Sequence, residues 1–94
     1  MAENKSKFFV YILRCNDDTL YTGWTVDIKK RLSVHNNGKG AKYTRNRLPV
    51  FMEYVEEVNS KSEALSREIA IKKLSRKNKL LLINSTQNKK LELI

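Results

Sequence analysis

Arg31 and His35 are the first pair of side chains in this sequence whose types and spacing suggest chemistry. They lie four residues apart in a segment with helical periodicity, so both are expected on one helix face beside the apolar Ile28 and Leu32. The arginine could hold a phosphate through two oxygens, with the histidine as proton donor or electrostatic partner. Alternatively, Arg31 is a solvated charge and His35, the single histidine of the chain, packs or caps a helix end.

Glu68 is the next candidate, because it falls within the apolar arc of a later predicted helix. On a helical wheel it lies with Lys72 between apolar positions such as Ala64 and Ile71. A carboxylate at the rim of a core is costly unless a cation, a metal ion or hydrogen-bond donors compensate it. Glu68 could therefore be a ligand for a hard cation such as Mg²⁺, or it could form an ion pair with Lys72 one turn away.

Two tyrosines, Tyr11 and Tyr21, stand ten residues apart on either side of the polar turn "CNDDT". The second is followed by Thr22 and Gly23, and the glycine indicates a bulge or the close approach of another group. Taken alone, the two tyrosines read as core aromatics of a hairpin. A role in chemistry depends on which groups lie beside them.

The charge of the chain favours a polyanionic partner. Nineteen Lys and Arg against ten Asp and Glu leave a net charge of +9 in 94 residues. The loop 39–47 interleaves cations with an aromatic residue, a pattern that can clamp backbone phosphates and stack a base, although solvated loop charge is the alternative. The residues expected to contact nucleic acid, with DNA favoured, are Lys30, Lys39, Lys42, Tyr43, Arg45, Arg47 and Lys72.

Length and composition predict one small folded domain, since two separate cores would each be too small, and 40% of the residues are hydrophobic. Cys15 is the only cysteine, which excludes an intrachain disulfide and a Cys-rich zinc site and fits a cytoplasmic location. The apolar run near the N-terminus is too short for a signal peptide or a membrane span, so no membrane partner is expected.

These side chains must be positioned by an α+β domain with the element order β-β-α-β-α-α. The predicted elements are strands at 8–13, 20–25 and 50–58, and helices at 26–36, 61–74 and 76–84. Thr25, Ser60 and Ser75 are the expected N-caps, and "SKSE" at 60–63 matches a capping box. The segment 39–49 is expected to be a loop.

Strict alternation in the third strand places Val50, Met52 and Tyr54 on one face, and Phe51, Glu53 and Val55 on the other. Residues 1–7 are assigned as an N-terminal tail, 8–84 as the domain and 85–94 as a C-terminal tail.

In order and spacing, these parts resemble the GIY-YIG nucleases. The resemblance is carried by "FVY" at 9–11, "YTG" at 21–23, "RLSVHN" at 31–36, "KYTRNRLP" at 42–49 and "EALSREIAIKKLSRKNK" at 63–79. It extends over residues 8–83 and is nearest to small stand-alone bacterial proteins of this family, related to Slx-type nucleases and to the N-terminal nuclease domain of UvrC. Phe9 stands where the motif has glycine, and Trp24 follows Gly23 where a smaller residue is usual.

The resemblance implies a three-stranded antiparallel sheet flanked by helices, and a metal-dependent phosphodiesterase site. Carried over residue by residue, the resemblance implies that Tyr11 accepts a proton from the attacking water and that Tyr21 is an orienting partner or an alternative base. It implies that Arg31 neutralises charge on the phosphorane and that His35 assists proton transfer or phosphate binding. It also implies that Glu68 is the ligand of one Mg²⁺ or Mn²⁺ ion. Since a phenol has a pKa of about 10, the metal and Arg31 would have to favour phenolate.

The expected function is that of a divalent-metal-dependent endonuclease acting on DNA, with branched or single-stranded DNA as candidate substrates, in repair or recombination. The alternative is a nucleic-acid-binding module on the same scaffold with little or no cleavage activity. An adaptor that docks an acidic protein has least support. Because almost nothing lies outside the domain, a protein partner could supply specificity, and a monomer is slightly favoured.

Overall fold

The computed structural model describes residues 7–94, so the predicted N-terminal tail lies, apart from Lys7, outside the described residues. The elements are β1 (Phe8–Arg14), β2 (Leu20–Thr25), α1 (Ile28–Asn36), α2 (Lys42–Arg45), β3 (Phe51–Val58), α3 (Lys61–Lys72), α4 (Arg76–Ile83) and α5 (Lys90–Leu93). The strands form one antiparallel sheet in the order β2-β1-β3. The predicted α+β class and the three-stranded sheet flanked by helices are confirmed, and the short helices α2 and α5 are added to the predicted order.

The central strand β1 is buried on both faces, as its continuous apolar sequence predicts. Tyr11 and Leu13 face a cluster that includes Ile28 of α1, whereas Val10 and Ile12 face a cluster that α3 and α4 cover. Complete burial of one such large apolar side chain stabilises the folded state by about 1.5–3 kcal/mol. The sheet is therefore the middle layer of three, and side chains from both neighbouring layers converge on β1.

The predicted alternation in β3 is wrong after Met52. Leu13 pairs with Met52 but Ile12 pairs with Tyr54, so one residue of β3, Glu53, is inserted as a bulge. The extra residue places Tyr54 on the opposite face from Met52 and returns Val55 to the Met52 face. A bulge depends on how β3 pairs with β1, and for that reason the local pattern of β3 did not reveal it.

The N-cap of α1 is Asp27 and not the expected Thr25. The Asp27 carboxylate accepts a hydrogen bond from the Lys30 amide at 3.1 Å, whereas the Thr25 hydroxyl accepts one from the Asp27 amide at 3.2 Å. Thr25 thus belongs to the end of β2, and the helix begins at Ile28, two residues later than predicted. A carboxylate at this position also interacts favourably with the helix dipole.

The other two predicted N-caps are confirmed. Ser60 accepts a hydrogen bond from the Glu63 amide at 3.1 Å, and the Glu63 carboxylate accepts one from the Asn59 amide at 3.0 Å. Ser75 caps α4 in the same way. The helix α3 ends at Lys72, two residues before the predicted end. None of the helices described between residues 7 and 94 has the length and apolar character that crossing a membrane requires.

The segment 85–94, assigned as a tail, is attached to β3 through Asn88. The Asn88 amide group donates to the backbone oxygens of Glu53 and Ile83, each at 2.8 Å, and its oxygen accepts from the Val55 amide at 3.2 Å. The Lys89 amide donates to the Val55 oxygen at 2.8 Å. These bonds bring α5 against the sheet, where Leu93 packs on the Tyr11 side of the core.

We predict that Asn88→Ala lowers the free energy of unfolding by about 2 kcal/mol, because it removes the acceptor of the Val55 amide and the donor to two carbonyls. Urea denaturation measures the change. Asn78→Ala, at an exposed position of α4, is the matched control and should change stability by less than about 0.5 kcal/mol. Equal effects of the two substitutions would contradict a structural role of the C-terminal segment.

Candidate active site

Tyr11 lies over Gly23, its partner on the neighbouring strand. A Cβ atom at position 23 would lie 2.6 Å from the Tyr11 hydroxyl oxygen and 2.8 Å from Cζ. Any side chain there would displace the phenol, so the glycine of "YTG" permits the close approach that the sequence indicated. Tyr11 is 2% exposed, whereas Tyr21, on the same hairpin, is half-buried.

His35 joins α1 to both the sheet and α2 through its two ring nitrogens. Its Nε2 lies 2.9 Å from the Tyr11 hydroxyl, and its Nδ1 lies 2.9 Å from the Thr44 hydroxyl. The Thr44 hydroxyl donates its hydrogen to the Ala41 carbonyl at 3.2 Å, so it accepts from His35 Nδ1–H. Nε2 is then the acceptor, and Tyr11 donates its hydroxyl proton to it.

The burial of His35 keeps this imidazole neutral. The residue is 1% exposed, and burial, followed by the positive charge of Arg31, lowers its pKa from 6.5 to about 4. At neutral pH the ring can therefore serve as a proton acceptor at Nε2 while Thr44 holds the proton on Nδ1.

Gly40 and Thr44 are site residues that the sequence analysis missed. A Cβ atom at Gly40 would lie 2.5 Å from His35 Cγ and 2.8 Å from His35 Cα, so only glycine lets the chain pass the imidazole. Thr44 is fully buried on α2, where a loop was expected. No local pattern in "GKGAKYT" marks either residue, because both act through contacts with His35 on another element.

The pKa of Tyr11 depends on three of the remaining candidate residues. Burial raises its pKa well above the ordinary value of 10, the neighbouring Tyr21 and the charge of Glu68 raise it further, and the charge of Arg31 lowers it. Arg31 acts in the direction expected from the sequence, but desolvation outweighs it. All five predicted residues are thus close enough to interact, and the resting state of Tyr11 is the neutral phenol.

Glu68 forms an ion pair with Lys72, which was the alternative to a role as metal ligand. The distance between its carboxylate and Lys72 Nζ is 3.4 Å. Its side chain is only 17% exposed, and its charge still acts on Tyr11. No group of three or more acidic, histidine or cysteine residues suited to a metal occurs in residues 7–94. A divalent ion at Glu68 would therefore need water and substrate phosphate to complete its coordination, as Mg²⁺ accepts.

The residues expected to contact nucleic acid divide into two groups. Tyr43 stacks on Tyr21 with ring centroids 5.9 Å apart, and Arg47 lies 3.9 Å over the Tyr43 ring while it pairs with Asp17 at 3.0 Å. Tyr43 and Arg47, like Lys72, are thus engaged within the protein. Among the described residues, no carboxylate pairs with the four others, Lys30, Lys39, Lys42 and Arg45.

A cleft lies beside Arg31. It has a volume of about 400 Å³ and is lined by Thr25, Val26, Asp27, Lys30, Arg31 and Val34. Two cations face it against one carboxylate, and that carboxylate caps α1. The cleft can therefore accept an anionic group next to Arg31.

We predict that stability falls by about 2 kcal/mol between pH 7 and pH 5 because of His35 alone. The unfolded chain binds a proton at this histidine below its ordinary pKa of 6.5, whereas the folded chain does so only near pH 4. The contribution is thus fully present above pH 6.5 and is lost as the pH falls. Urea denaturation of the wild type and His35→Gln at both pH values isolates it, and identical pH dependences would contradict a neutral, buried His35.

We predict that Thr44→Val costs about 1–3 kcal/mol of stability, because His35 Nδ1–H loses its acceptor in a buried place. Thr44→Ser keeps the hydroxyl and should cost less. The ¹⁵N chemical shifts of the His35 ring should show Nδ1 protonated in the wild type and in Thr44→Ser, but a mixture of tautomers in Thr44→Val. The same tautomer in all three proteins would mean that Thr44 does not set it.

The chain is similar in sequence and structure to known proteins. Residues 7–81 match the GIY-YIG catalytic domain. The chain is 58% identical over 77 residues to a UPF0213 protein of Clostridium perfringens, and the match covers 82% of this chain and 83% of that protein. It is 61% identical over 79 residues to a UPF0213 protein of Syntrophus aciditrophicus, and the match covers 83% of this chain and 91% of that protein. The solution NMR structure of a UPF0213 protein from Bacillus halodurans is similar, with a TM-score of 0.56, 42% identity and 86% of each chain covered. The chain therefore belongs to the GIY-YIG family.

Proposed function

We propose that this protein is a divalent-metal-dependent endonuclease that hydrolyses phosphodiester bonds in DNA. Membership of the GIY-YIG family supports a nuclease-type function. The observation that carries the proposal is the hydrogen-bond chain from Tyr11 through His35 to Thr44, with the charges of Arg31 and Glu68 beside it. A module that only binds nucleic acid has no need of a partly buried carboxylate that repels phosphate.

Tyr11 would act as a relay and not as a stored phenolate. Its hydroxyl accepts a proton from the attacking water and passes its own proton to His35 Nε2, so the phenol is neutral before and after the transfer. This route avoids the phenolate that burial disfavours. Thr44 keeps the other proton on Nδ1, which leaves Nε2 as the only position that can receive one.

Arg31 would couple substrate binding to the basicity of His35. Its positive charge is one of the two causes that lower the pKa of His35. A phosphate that neutralises Arg31 would weaken that effect and make His35 a better proton acceptor when substrate is present. The same guanidinium would stabilise the negative charge that develops on the phosphorane.

Glu68 would hold one Mg²⁺ or Mn²⁺ ion, with water and phosphate oxygens as the remaining ligands. Bound there, the ion would polarise the scissile phosphate and stabilise the leaving oxygen. Lys72, which is half-exposed, would have to release Glu68, and an ion pair of this exposure is worth only about 0–1 kcal/mol. The present pairing with Lys72 therefore does not oppose metal binding strongly.

The substrate, the cellular process and the location of the activity are part of the same proposal. DNA, branched or single-stranded, is the favoured substrate, and repair or recombination is the favoured process. The protein would act in the cytoplasm, which fits its single, buried Cys15, as a monomer or with a protein partner that supplies specificity. Tyr21 is the more exposed tyrosine, and it remains the alternative base.

The test is cleavage of labelled duplex, single-stranded and branched DNA, and of RNA, with Mg²⁺, with Mn²⁺ or with EDTA. We expect metal-dependent cleavage of DNA that falls at least about 100-fold in Glu68→Gln and in Tyr11→Phe. Glu92→Gln, a carboxylate on α5 with a 70% exposed side chain, is the matched control and should keep full activity. Tyr21→Phe, measured in parallel, shows which phenol takes the proton.

Cleavage that persists in EDTA, or that Glu68→Gln leaves unchanged, would refute the assigned roles. Salt-sensitive binding without cleavage of any substrate, equal in the wild type and Glu68→Gln, would instead establish the nucleic-acid-binding module. Urea denaturation of each variant separates loss of activity from loss of folding.

A further inference from the structure

A second cavity lies in the connection between α1 and β3. Its volume is about 300 Å³, and its lining consists of Gly38, Lys39, Gly40, Ala41, Lys42 and Arg45. Three of these six residues are exposed cations, and none is acidic. Throughout the part of the chain that the structure describes, no carboxylate pairs with Lys39, Lys42 or Arg45.

The neighbouring cation Arg47 differs from these three, because it is engaged in contacts within the protein. Its guanidinium pairs with Asp17, donates to the Tyr43 carbonyl at 2.7 Å and lies over the Tyr43 ring. Arg47 therefore holds the loop in place. Within residues 7–94 no carboxylate neutralises the three cations of the cavity, and together they favour an anion.

The cavity is in direct contact with the site. Its wall includes Gly40, which lies against the His35 ring, and the opposite end of that ring accepts the Tyr11 hydrogen bond. The helix α2 has two faces, with Thr44 buried on His35 and Arg45 exposed at the cavity. The imidazole ring thus lies between Gly40 of the cavity wall and the Tyr11 hydroxyl.

We propose that this cavity binds a phosphate of the substrate strand other than the one that is cleaved. The inference rests on the proposed function, because it takes the scissile phosphate to lie at Tyr11 and Arg31. Phosphates of one strand repeat about every 3.4 Å along the helix axis, so a second phosphate lies within reach one or two nucleotides away. The substrate class is then a polynucleotide with at least two phosphates, and not a single phosphodiester.

The first test is binding of a fluorescein-labelled single-stranded DNA 12-mer, measured by fluorescence anisotropy in EDTA as a function of salt. The double variant Lys42→Gln with Arg45→Gln should weaken binding at least about 10-fold and reduce the slope of log K against log salt by about 0.7, the value for the one phosphate that the variant no longer neutralises. The double variant Lys29→Gln with Lys77→Gln makes the same change in net charge at exposed positions outside the cavity and should have less than a third of this effect.

The second test is catalytic. The cavity variant should lower kcat/KM for cleavage of the same DNA at least about 10-fold. The fall should lie mainly in a higher KM, since these cations hold a phosphate away from the bond that is cleaved. An equal fall in kcat at saturating DNA, with KM unchanged, would overturn the inference, because the cations would then act on the scissile group.

The two proposals fail in different ways. Equal losses of binding in the cavity variant and its charge-matched control would remove the phosphate site, whether or not the wild type cleaves DNA. A wild type that cleaves nothing, while the cavity variant alone loses binding, would refute the endonuclease and retain the phosphate site.

Discussion

The hydrogen bond between the Tyr11 hydroxyl and His35 Nε2 connects the central strand to the first helix, and the surrounding structure is arranged so that it can form. Gly23 leaves room for the phenol on one side and Gly40 leaves room for the imidazole on the other. Thr44 then decides which nitrogen carries the proton. Two glycines and one hydroxyl thus make a buried polar pair possible in a core that would otherwise exclude it.

The same burial that stabilises the fold sets the chemistry of the site. Desolvation raises the pKa of Tyr11 and lowers that of His35, so both groups are neutral at physiological pH. The charges of Arg31 and Glu68 act on Tyr11 in opposite directions. A proton can therefore move along the pair only when something changes this balance, and an anion bound at Arg31 is such a change.

Sequence periodicity could predict which residues share a face of one element, because that depends only on local spacing. It placed Arg31 and His35 on one face of one helix and identified Glu68 as a carboxylate among apolar neighbours. The contact of Thr44 with His35 arises where two elements pack against each other, and no pattern within "GKGAKYT" encodes it. The faces of β3 were mispredicted for a related reason, since the bulge at Glu53 is a property of the pairing with β1.

The hydrogen bonds of Asn88 and Lys89 have a consequence for association. The outward amide and carbonyl of Val55 belong to an edge strand, where unpaired backbone groups invite a strand from another molecule. The Asn88 side chain and the Lys89 amide occupy them. The C-terminal segment thus occupies this edge of the sheet from Glu53 to Val55, where a strand from another molecule would otherwise find free backbone groups.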